Sequence, residues 1–181
     1  MKEKIIRGKR VYLRPPIAED FEELDRLYNT SRRLHRGLVS ANFNRKDLDD
    51  LIGRNQGEDY ESFLICVNEI NQIAGTITLS QIFRKAFQNA FLGYLLGESF
   101  TGKGYMTEAV ALILIHAFSN LKLHRIEANV QPHNAPSINV LKRCGFRKEG
   151  FSPKYLKIAG RWRDHERWAI VIEDWKSQKK K

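Results

Sequence analysis

With 181 residues and a hydrophobic content of 42%, the chain has the size and composition of one domain with a full core, which excludes a disordered or fibrous protein. Its net charge of +10 favours an anionic partner, while the widely separated Cys66 and Cys144 suggest neither a disulfide framework nor a metal cluster. The longest apolar run, residues 109–115, is too short to span a bilayer, and no signal-peptide pattern opens the chain, so we expect a soluble cytoplasmic protein.

The first half of the chain is predicted to combine short strands with acidic helices. Residues 10–14 alternate as in a strand, which ends at Pro15-Pro16 because proline cannot donate to a ladder. Apolar side chains at spacings of three and four then predict a helix after Asp20 and a second helix over residues 45–54. Three strands follow, the first two as a hairpin, at residues 63–67, 73–79 and 90–96.

The second half of the chain is predicted to contain two helices with clear boundaries. The preceding strand leads into a loop with two glycines and then into a helix whose apolar face begins at Met106. A later helix is capped by Asn134 and ends at Gly145, which supplies a left-handed residue. Three more strands are predicted, at residues 124–130, 147–157 and 161–171. We therefore predict one domain over residues 1–175 and a basic tail over residues 176–181.

The glycine loop that follows the strand at residues 90–96 suggests an anion site. Gly102 and Gly104 precede a helix N-terminus, whose free N–H groups and positive dipole end favour a phosphate, and Lys103 adds a mobile charge. A P-loop is disfavoured because Gly104 stands where a Ser or Thr hydroxyl would hold magnesium. A dinucleotide fingerprint is weak because Thr107 replaces its third glycine.

Around this loop the sequence resembles the GCN5-related N-acetyltransferase (GNAT) superfamily, whose coenzyme A signature is Arg or Gln, two residues, Gly, one residue, then Gly or Ala. The corresponding residues are Thr101-Gly102-Lys103-Gly104-Tyr105-Met106; the central glycine matches, and Thr101 and Met106 depart from the consensus. Nearly the whole chain resembles the RimJ branch, the ribosomal-protein-alanine N-acetyltransferases. The segments that carry this resemblance are residues 10–15, 102–109, 134–137, 144–150 and 160–165.

The resemblance implies an α/β fold with a strongly twisted, mixed, mostly antiparallel sheet of about seven strands, splayed at its centre and flanked by about four helices. It also implies acetyl-coenzyme A as co-substrate without a metal, and a pantetheine arm in the splay. The thioester carbonyl is expected near the backbone N–H of Leu95 or Leu96. The residues expected to bind the coenzyme are Leu95, Leu96, Thr101, Gly102, Lys103, Gly104, Tyr105, Met106, Thr107, Asn129, Asn134 and Ser137.

The resemblance is less informative about the groups that transfer protons. The tyrosine that many members of the superfamily use as general acid is Leu141 here, so Ser137 is the expected acid, as a serine at that place is in the RimL branch. Ser137 also fits an ordinary first-turn serine bonded to the helix end. Glu98 is the candidate general base, although it equally fits a solvated residue that ends a strand, and Glu108 fits a residue that complements the helix dipole.

The favoured acceptor is the N-terminal α-amine of a protein, with a ribosomal protein as one target. The alternatives are a small amine, such as a polyamine, an aminoglycoside or an amino acid, and a basic RNA- or ribosome-binding module without catalysis. No motif for specific nucleic-acid recognition is seen. The acidic side chains of the first helices either steer a basic peptide or are simply solvated; they are Glu19, Asp20, Glu22, Glu23, Asp25, Asp47, Asp49 and Asp50. On the final hairpin, Trp162, Arg163, Asp164 and His165 either shape an acceptor pocket or pack the sheet edge. The oligomeric state is open, with a homodimer as one option.

Overall fold

The computed structural model describes residues 5–39 and 43–178 as an eight-stranded sheet with helices packed on it. The strands are β1 (Ile6–Arg7), β2 (Val11–Arg14), β3 (Tyr60–Val67), β4 (Ile73–Phe83), β5 (Asn89–Leu96), β6 (Arg125–Val130), β7 (Arg147–Ile158) and β8 (Arg161–Val171). The helices are α1 (Phe21–Thr30), α2 (Arg32–His35), α3 (Arg45–Arg54), α4 (Tyr105–Ile115), α5 (Ala135–Arg143) and α6 (Ile172–Gln178).

The sheet is mixed, and it opens at its centre. The strand order is β1-β2-β3-β4-β5-β6-β8-β7, and β5 and β6 form the parallel pair among otherwise antiparallel neighbours. β5 and β6 are paired from Asn89 and Arg125 as far as Phe91 and Glu127. Beyond that point β5 follows β4, and β6 follows β8. The two central strands therefore part, which confirms the predicted splay.

Apolar side chains cover both faces of the sheet. In β3, Phe63 and Ile65 pack in the larger core cluster, to which α4 and α5 contribute. Leu64 and Cys66 pack in a smaller cluster with α1 and α3. Successive side chains of a strand point to opposite faces, so the sheet lies between two helical layers. This double burial explains why β3 reads as a continuous apolar run rather than an alternating one.

The central helix α4 is apolar on most of its surface because it is enclosed by other elements. It packs against β2 and α5 and continues into a π-helical turn, His116–Asn120. Its 11 residues fall well short of a bilayer's thickness. Throughout residues 5–39 and 43–178, no helix combines the length and apolar character that a membrane span needs.

Among the strands and α-helices of the described residues, three short ones were not predicted from the sequence patterns. β1 has two residues and α2 has four, which is too short for a periodic signal. α6 extends past residue 175, and its Gln178 side chain donates to the carbonyl of Gly145 at 3.4 Å. The remainder of the predicted tail, residues 179–181, lies outside the described residues. The single-domain boundary at residue 175 stays a prediction.

Candidate active site

A cavity of about 810 Å³ lies where the two central strands part. Residues 92–96 of β5 and residues 128–131, at the end of β6, contribute to its lining. The glycine loop, the first turn of α4, helix α5 with its cap, the residues around α2 and the β7–β8 hairpin supply the remainder. The cavity thus extends from the predicted coenzyme loop to the final hairpin, for which the sequence left open either a role in an acceptor pocket or packing at the sheet edge.

The glycine loop has the backbone conformation that an anion site requires. Gly102 and Gly104 have φ angles of +73° and +77°, a region that side-chain-bearing residues rarely adopt. No atom lies within 4 Å of where a Cβ on Gly102 would stand, so this surface is open. α4 begins at Tyr105 without a side-chain cap, which leaves N–H groups of its first turn for an anion.

Arg10 and Glu108 hold the glycine loop through its carbonyl groups. The Arg10 guanidinium donates to the carbonyls of Lys103 at 2.9 Å and Gly104 at 3.4 Å, and its Nε donates to Glu108 Oε2 at 2.9 Å. Glu108 Oε1 accepts the N–H of Arg10 at 2.7 Å and of Val11 at 3.3 Å. Burial raises the pKa of Glu108, but these hydrogen bonds outweigh burial and place that pKa below its ordinary value.

This contact gives Glu108 a role that the sequence did not suggest. Its carboxylate lies in the first turn of α4, as expected of a residue that complements a helix dipole. Its partners, however, belong to Arg10 and Val11 at the start of β2. Because the Arg10 guanidinium is bonded to carbonyl and carboxylate oxygens, it fixes the shape of the loop and leaves phosphate contacts to the loop's own amides.

The first turn of α5 lies against β5 across the splay. Asn134 caps this helix by accepting the N–H of Ser137 at 3.3 Å. Ser137 Oγ lies 2.8 Å from the Tyr94 hydroxyl, which also lies 3.2 Å from the Ser137 carbonyl. Burial raises the pKa of Tyr94, so its phenol remains protonated at neutral pH. Tyr94 was missed at the sequence level, although it is the one polar side chain in the run from residue 90 to residue 96.

Asn129 provides evidence that the cavity accommodates a hydrogen-bond donor. Its Oδ1 is buried and has no hydrogen-bond partner within the described ranges 5–39 and 43–178, and the residue lines the cavity. An unsatisfied buried acceptor costs about 1–3 kcal/mol, so a ligand that supplies a donor is favoured. The pantetheine arm of coenzyme A carries amide N–H groups. Together with the open glycine loop, this oxygen fits acetyl-coenzyme A.

Most of the residues predicted to bind the coenzyme line this cavity; they are Leu95, Leu96, Thr101, Gly102, Gly104, Met106, Thr107, Asn129, Asn134 and Ser137. Lys103 and Tyr105 lie outside the lining: the Lys103 ammonium is 5.9 Å from the Phe100 ring centroid, and the Tyr105 ring faces Arg10. Arg143, in the last turn of α5, is the lining cation instead.

The predicted base, Glu98, is exposed and also lies outside the lining. It begins a 3₁₀ turn, and its backbone N–H donates to Ser31 Oγ at 2.9 Å. An exposed carboxylate at this place reaches the cavity through solvent rather than by direct contact. The assignment of Glu98 as general base stays a prediction.

Two buried histidines that were not predicted as proton acceptors line the same cavity. His35 is 8% exposed and His165 is 2% exposed. His35 Nε2 lies 2.9 Å from the Leu96 carbonyl, and His165 Nδ1 lies 3.0 Å from the Arg163 carbonyl. A carbonyl oxygen only accepts, so in the neutral rings these nitrogens carry the hydrogen and the other nitrogens keep a lone pair.

A second cavity of about 410 Å³ adjoins the first. Both cavities are lined by Val39, Gly93, Tyr94 and Leu95, so β5 and the residues after α2 form their common boundary. Asp47 and Asp50 of α3 line the second cavity.

Within residues 5–39 and 43–178, no group of three or more His, Cys, Asp or Glu is arranged to hold a metal ion.

Comparison with known proteins identifies the family. Residues 10–147 match the family model described as an acetyltransferase (GNAT) domain, which covers well over half of the chain. The chain belongs to the GNAT family. This GNAT protein is an acetyl-coenzyme A-dependent N-acetyltransferase, and the predicted superfamily, fold class and co-substrate are confirmed.

Named relatives include ribosomal-protein acetyltransferases. The GNAT chain is 39% identical over 178 residues to the probable N-acetyltransferase YjcK of Bacillus subtilis (strain 168), covering 94% of this chain and 98% of that protein. It is 40% identical over 104 residues to the ribosomal protein uS5-alanine N-acetyltransferase of Escherichia coli (strain K12), which is 58% of this chain and about half, 54%, of that enzyme. Among solved structures, Mycobacterium smegmatis RimJ in complex with CoA-disulfide has a TM-score of 0.82 at 30% identity, covering 94% of this chain and 86% of RimJ.

Proposed function

We propose that this GNAT enzyme acetylates the N-terminal α-amine of a protein, with a ribosomal protein as the favoured target. The observation that carries the proposal is the chemistry of the larger cavity: among the described residues that line it there is no Asp or Glu. An N-terminal amine has a reference pKa near 8, whereas a lysine-like amine is near 10.4. A lining without carboxylates therefore suits an amine that loses its proton readily.

The names of the relatives support the ribosomal target. The matched Escherichia coli enzyme is named for alanine acetylation of ribosomal protein uS5, and the Mycobacterium smegmatis structure is named RimJ. The net charge of +8 over residues 142–181 also favours an acceptor that belongs to an RNA-rich assembly. Such a target would place the reaction in the cytoplasm, as the sequence suggested.

Named residues have separate parts in the proposed reaction. The backbone N–H of Leu95 or Leu96 holds the charge that develops on the carbonyl oxygen when the neutral amine attacks. Ser137 donates a proton to the departing thiolate. His35 or His165 takes the proton that the amine loses, directly or through water, and Glu98 can take it only through water.

A small cationic amine is the second candidate acceptor, because Asp47 and Asp50 line the adjoining cavity. One carboxylate oxygen of Asp47 is already hydrogen bonded, since its Oδ2 accepts the Asn44 N–H at 2.8 Å in the cap of α3. Asp50 lacks such a cap contact in the described residues and is exposed. These carboxylates would attract a polyamine to the enzyme, but they lie outside the larger cavity.

Initial rates of acetyl transfer separate the two acceptors. Peptides that begin with Ala, Ser or Met would be compared, at saturating acetyl-coenzyme A, with polyamines, aminoglycosides and amino acids. We expect the Ala-starting peptide to exceed the small amines at least about tenfold in kcat/KM, which is about 1.4 kcal/mol. The same peptide with a blocked N-terminus is the matched control and should remain unmodified. Activity confined to the small amines would overturn the proposal.

A further inference from the structure

We propose that Tyr94 is a positioning residue for proton transfer: its hydroxyl donates to Ser137 Oγ and so directs the serine's own hydrogen into the cavity. The inference rests on the proposed role of Ser137 as the acid of acetyl transfer, and it holds for either acceptor class. Tyr94 and Ser137 belong to β5 and α5, and their contact bridges the splay.

The distances restrict how these two hydroxyl groups share their hydrogens. The Tyr94 hydroxyl has a single hydrogen and two acceptors within reach, Ser137 Oγ at 2.8 Å and the Ser137 carbonyl at 3.2 Å. If the phenol donates to Oγ, the serine hydrogen is free to point into the cavity. If it donates to the carbonyl, the serine hydrogen turns back onto the phenol oxygen. The shorter contact favours the first arrangement.

No other described side chain competes for Ser137 Oγ. The Asn134 side chain, which caps α5, accepts a hydrogen bond from the backbone N–H of Ser137 and not from its hydroxyl. Throughout residues 5–39 and 43–178, Tyr94 is the one side chain that hydrogen bonds to this oxygen. Because burial keeps the phenol protonated, Tyr94 acts as a hydrogen-bond donor throughout the reaction and not as a general acid.

The backbone on both sides of the contact fixes its geometry. Tyr94 lies opposite Ile77 in the antiparallel pair of β4 and β5, and Ser137 lies in the capped first turn of α5. Tyr94 also lines both cavities and immediately precedes Leu95, whose backbone N–H is one of the two proposed positions for the thioester carbonyl. Regular elements of this kind hold polar groups more tightly than loops do.

The proton balance of the step leaves Tyr94 unchanged. The amine nitrogen forms a bond to the acetyl carbon, the carbon–sulfur bond breaks with its electron pair on sulfur, and the Ser137 hydroxyl proton moves to that sulfur. The proton lost by the acetylated nitrogen passes to an imidazole or to water, and water returns a proton to the serine. The phenol keeps its own proton and restores the serine orientation.

The test compares Tyr94→Phe, Ser137→Ala and the double variant. Tyr94→Phe removes the hydroxyl and keeps the ring that packs in the core. We expect kcat to fall on the order of tenfold or more, with the KM for acetyl-coenzyme A and the Kd for coenzyme A unchanged, because general acid catalysis contributes roughly 10²–10⁴-fold. The double variant should be no slower than Ser137→Ala alone, since both changes disable one proton transfer.

Tyr60→Phe is the matched control, because Tyr60 is a buried tyrosine of β3 that lines neither cavity, and it should keep wild-type turnover. Wild-type kcat in Tyr94→Phe, or independent losses that multiply in the double variant, would overturn the inference. If the enzyme acetylates small amines and no peptide, the same variants are measured with the best amine. The acceptor proposal and the Tyr94 inference can then fail separately.

Discussion

The exposure and hydrogen-bond partners of individual polar atoms indicate which residues of the site can bind a ligand. Glu98 and Ser137 were both proposed from the sequence, yet Ser137 lines the cavity with a fixed hydroxyl partner and Glu98 is exposed. Asn129 differs from both, since its buried Oδ1 lacks a partner in the described part of the chain. An unsatisfied buried acceptor weakens the free protein and favours a complex that supplies its donor.

We predict that Asn129→Val separates coenzyme binding from the stability of the free protein. The change removes the unpaired acceptor, so the thermal midpoint of the free protein should not fall. The Kd for coenzyme A should rise about two- to tenfold, since a typical hydrogen bond contributes about 0.5–1.5 kcal/mol. Calorimetric titration and thermal unfolding of one preparation measure both quantities. A lower thermal midpoint with unchanged Kd would show that Asn129 serves folding and not the coenzyme.

Among the elements, the junction of β2 with the glycine loop links the first strands to the coenzyme site. Arg10 and Glu108 are 98 residues apart in the sequence, and their hydrogen bonds join the start of β2 to the first turn of α4. Glu149 is a suitable comparison, because its pKa is also below the ordinary value, chiefly through its hydrogen bond with Arg125. This ion pair joins β6 and β7 and does not touch the glycine loop. Both glutamates are ion-paired, but Glu108 alone contacts the residue that holds the loop carbonyls.

We predict that Glu108→Gln weakens coenzyme A binding severalfold, while Glu149→Gln leaves it unchanged. The folded-state pKa of Glu108 lies below its ordinary value of 4.5, so its contribution to stability is fully present above pH 4.5 and is lost as the pH falls through the folded pKa. The difference in thermal midpoint between wild type and Glu108→Gln should therefore be constant near neutral pH and shrink below pH 4.5. Calorimetry and thermal unfolding across pH test this. Equal coenzyme affinity in wild type and Glu108→Gln would contradict the loop-holding role.

The sequence predicted elements where the signal was local and missed contacts that depend on tertiary structure. The Asn134 cap and the left-handed Gly145 are read within one turn of α5, and both are observed. The two residues of β1 and the four of α2 are too few for a periodic pattern. Tyr94 meets Ser137 across 43 residues, and no local spacing predicts such a contact. The coenzyme loop was predictable because its function depends on consecutive backbone groups.

For the whole molecule, coenzyme binding should act as a stabilising contact across the open sheet. β5 and β6 lose their mutual hydrogen bonds beyond Phe91 and Glu127, so a ligand that fills the splay joins two halves that the backbone leaves apart. Any ligand that binds the folded state alone stabilises it by about 2.7 kcal/mol at a hundredfold excess over Kd. For a chain of this size this corresponds to a rise of roughly 5–11 °C in the thermal midpoint.

We predict that Gly102→Ala abolishes most of this rise, while Gly160→Ala preserves it. Both glycines have positive φ, +73° and +78°, and neither has an atom within 4 Å of the position that a Cβ would occupy, so the two substitutions impose a similar backbone strain. They differ in place, since Gly102 belongs to the anion loop and Gly160 to the turn between β7 and β8. Both variants should therefore lose similar stability without ligand. Thermal unfolding with and without coenzyme A would measure the difference. An equal ligand-induced rise in the thermal midpoint of both variants would show that the loop does not bind the coenzyme.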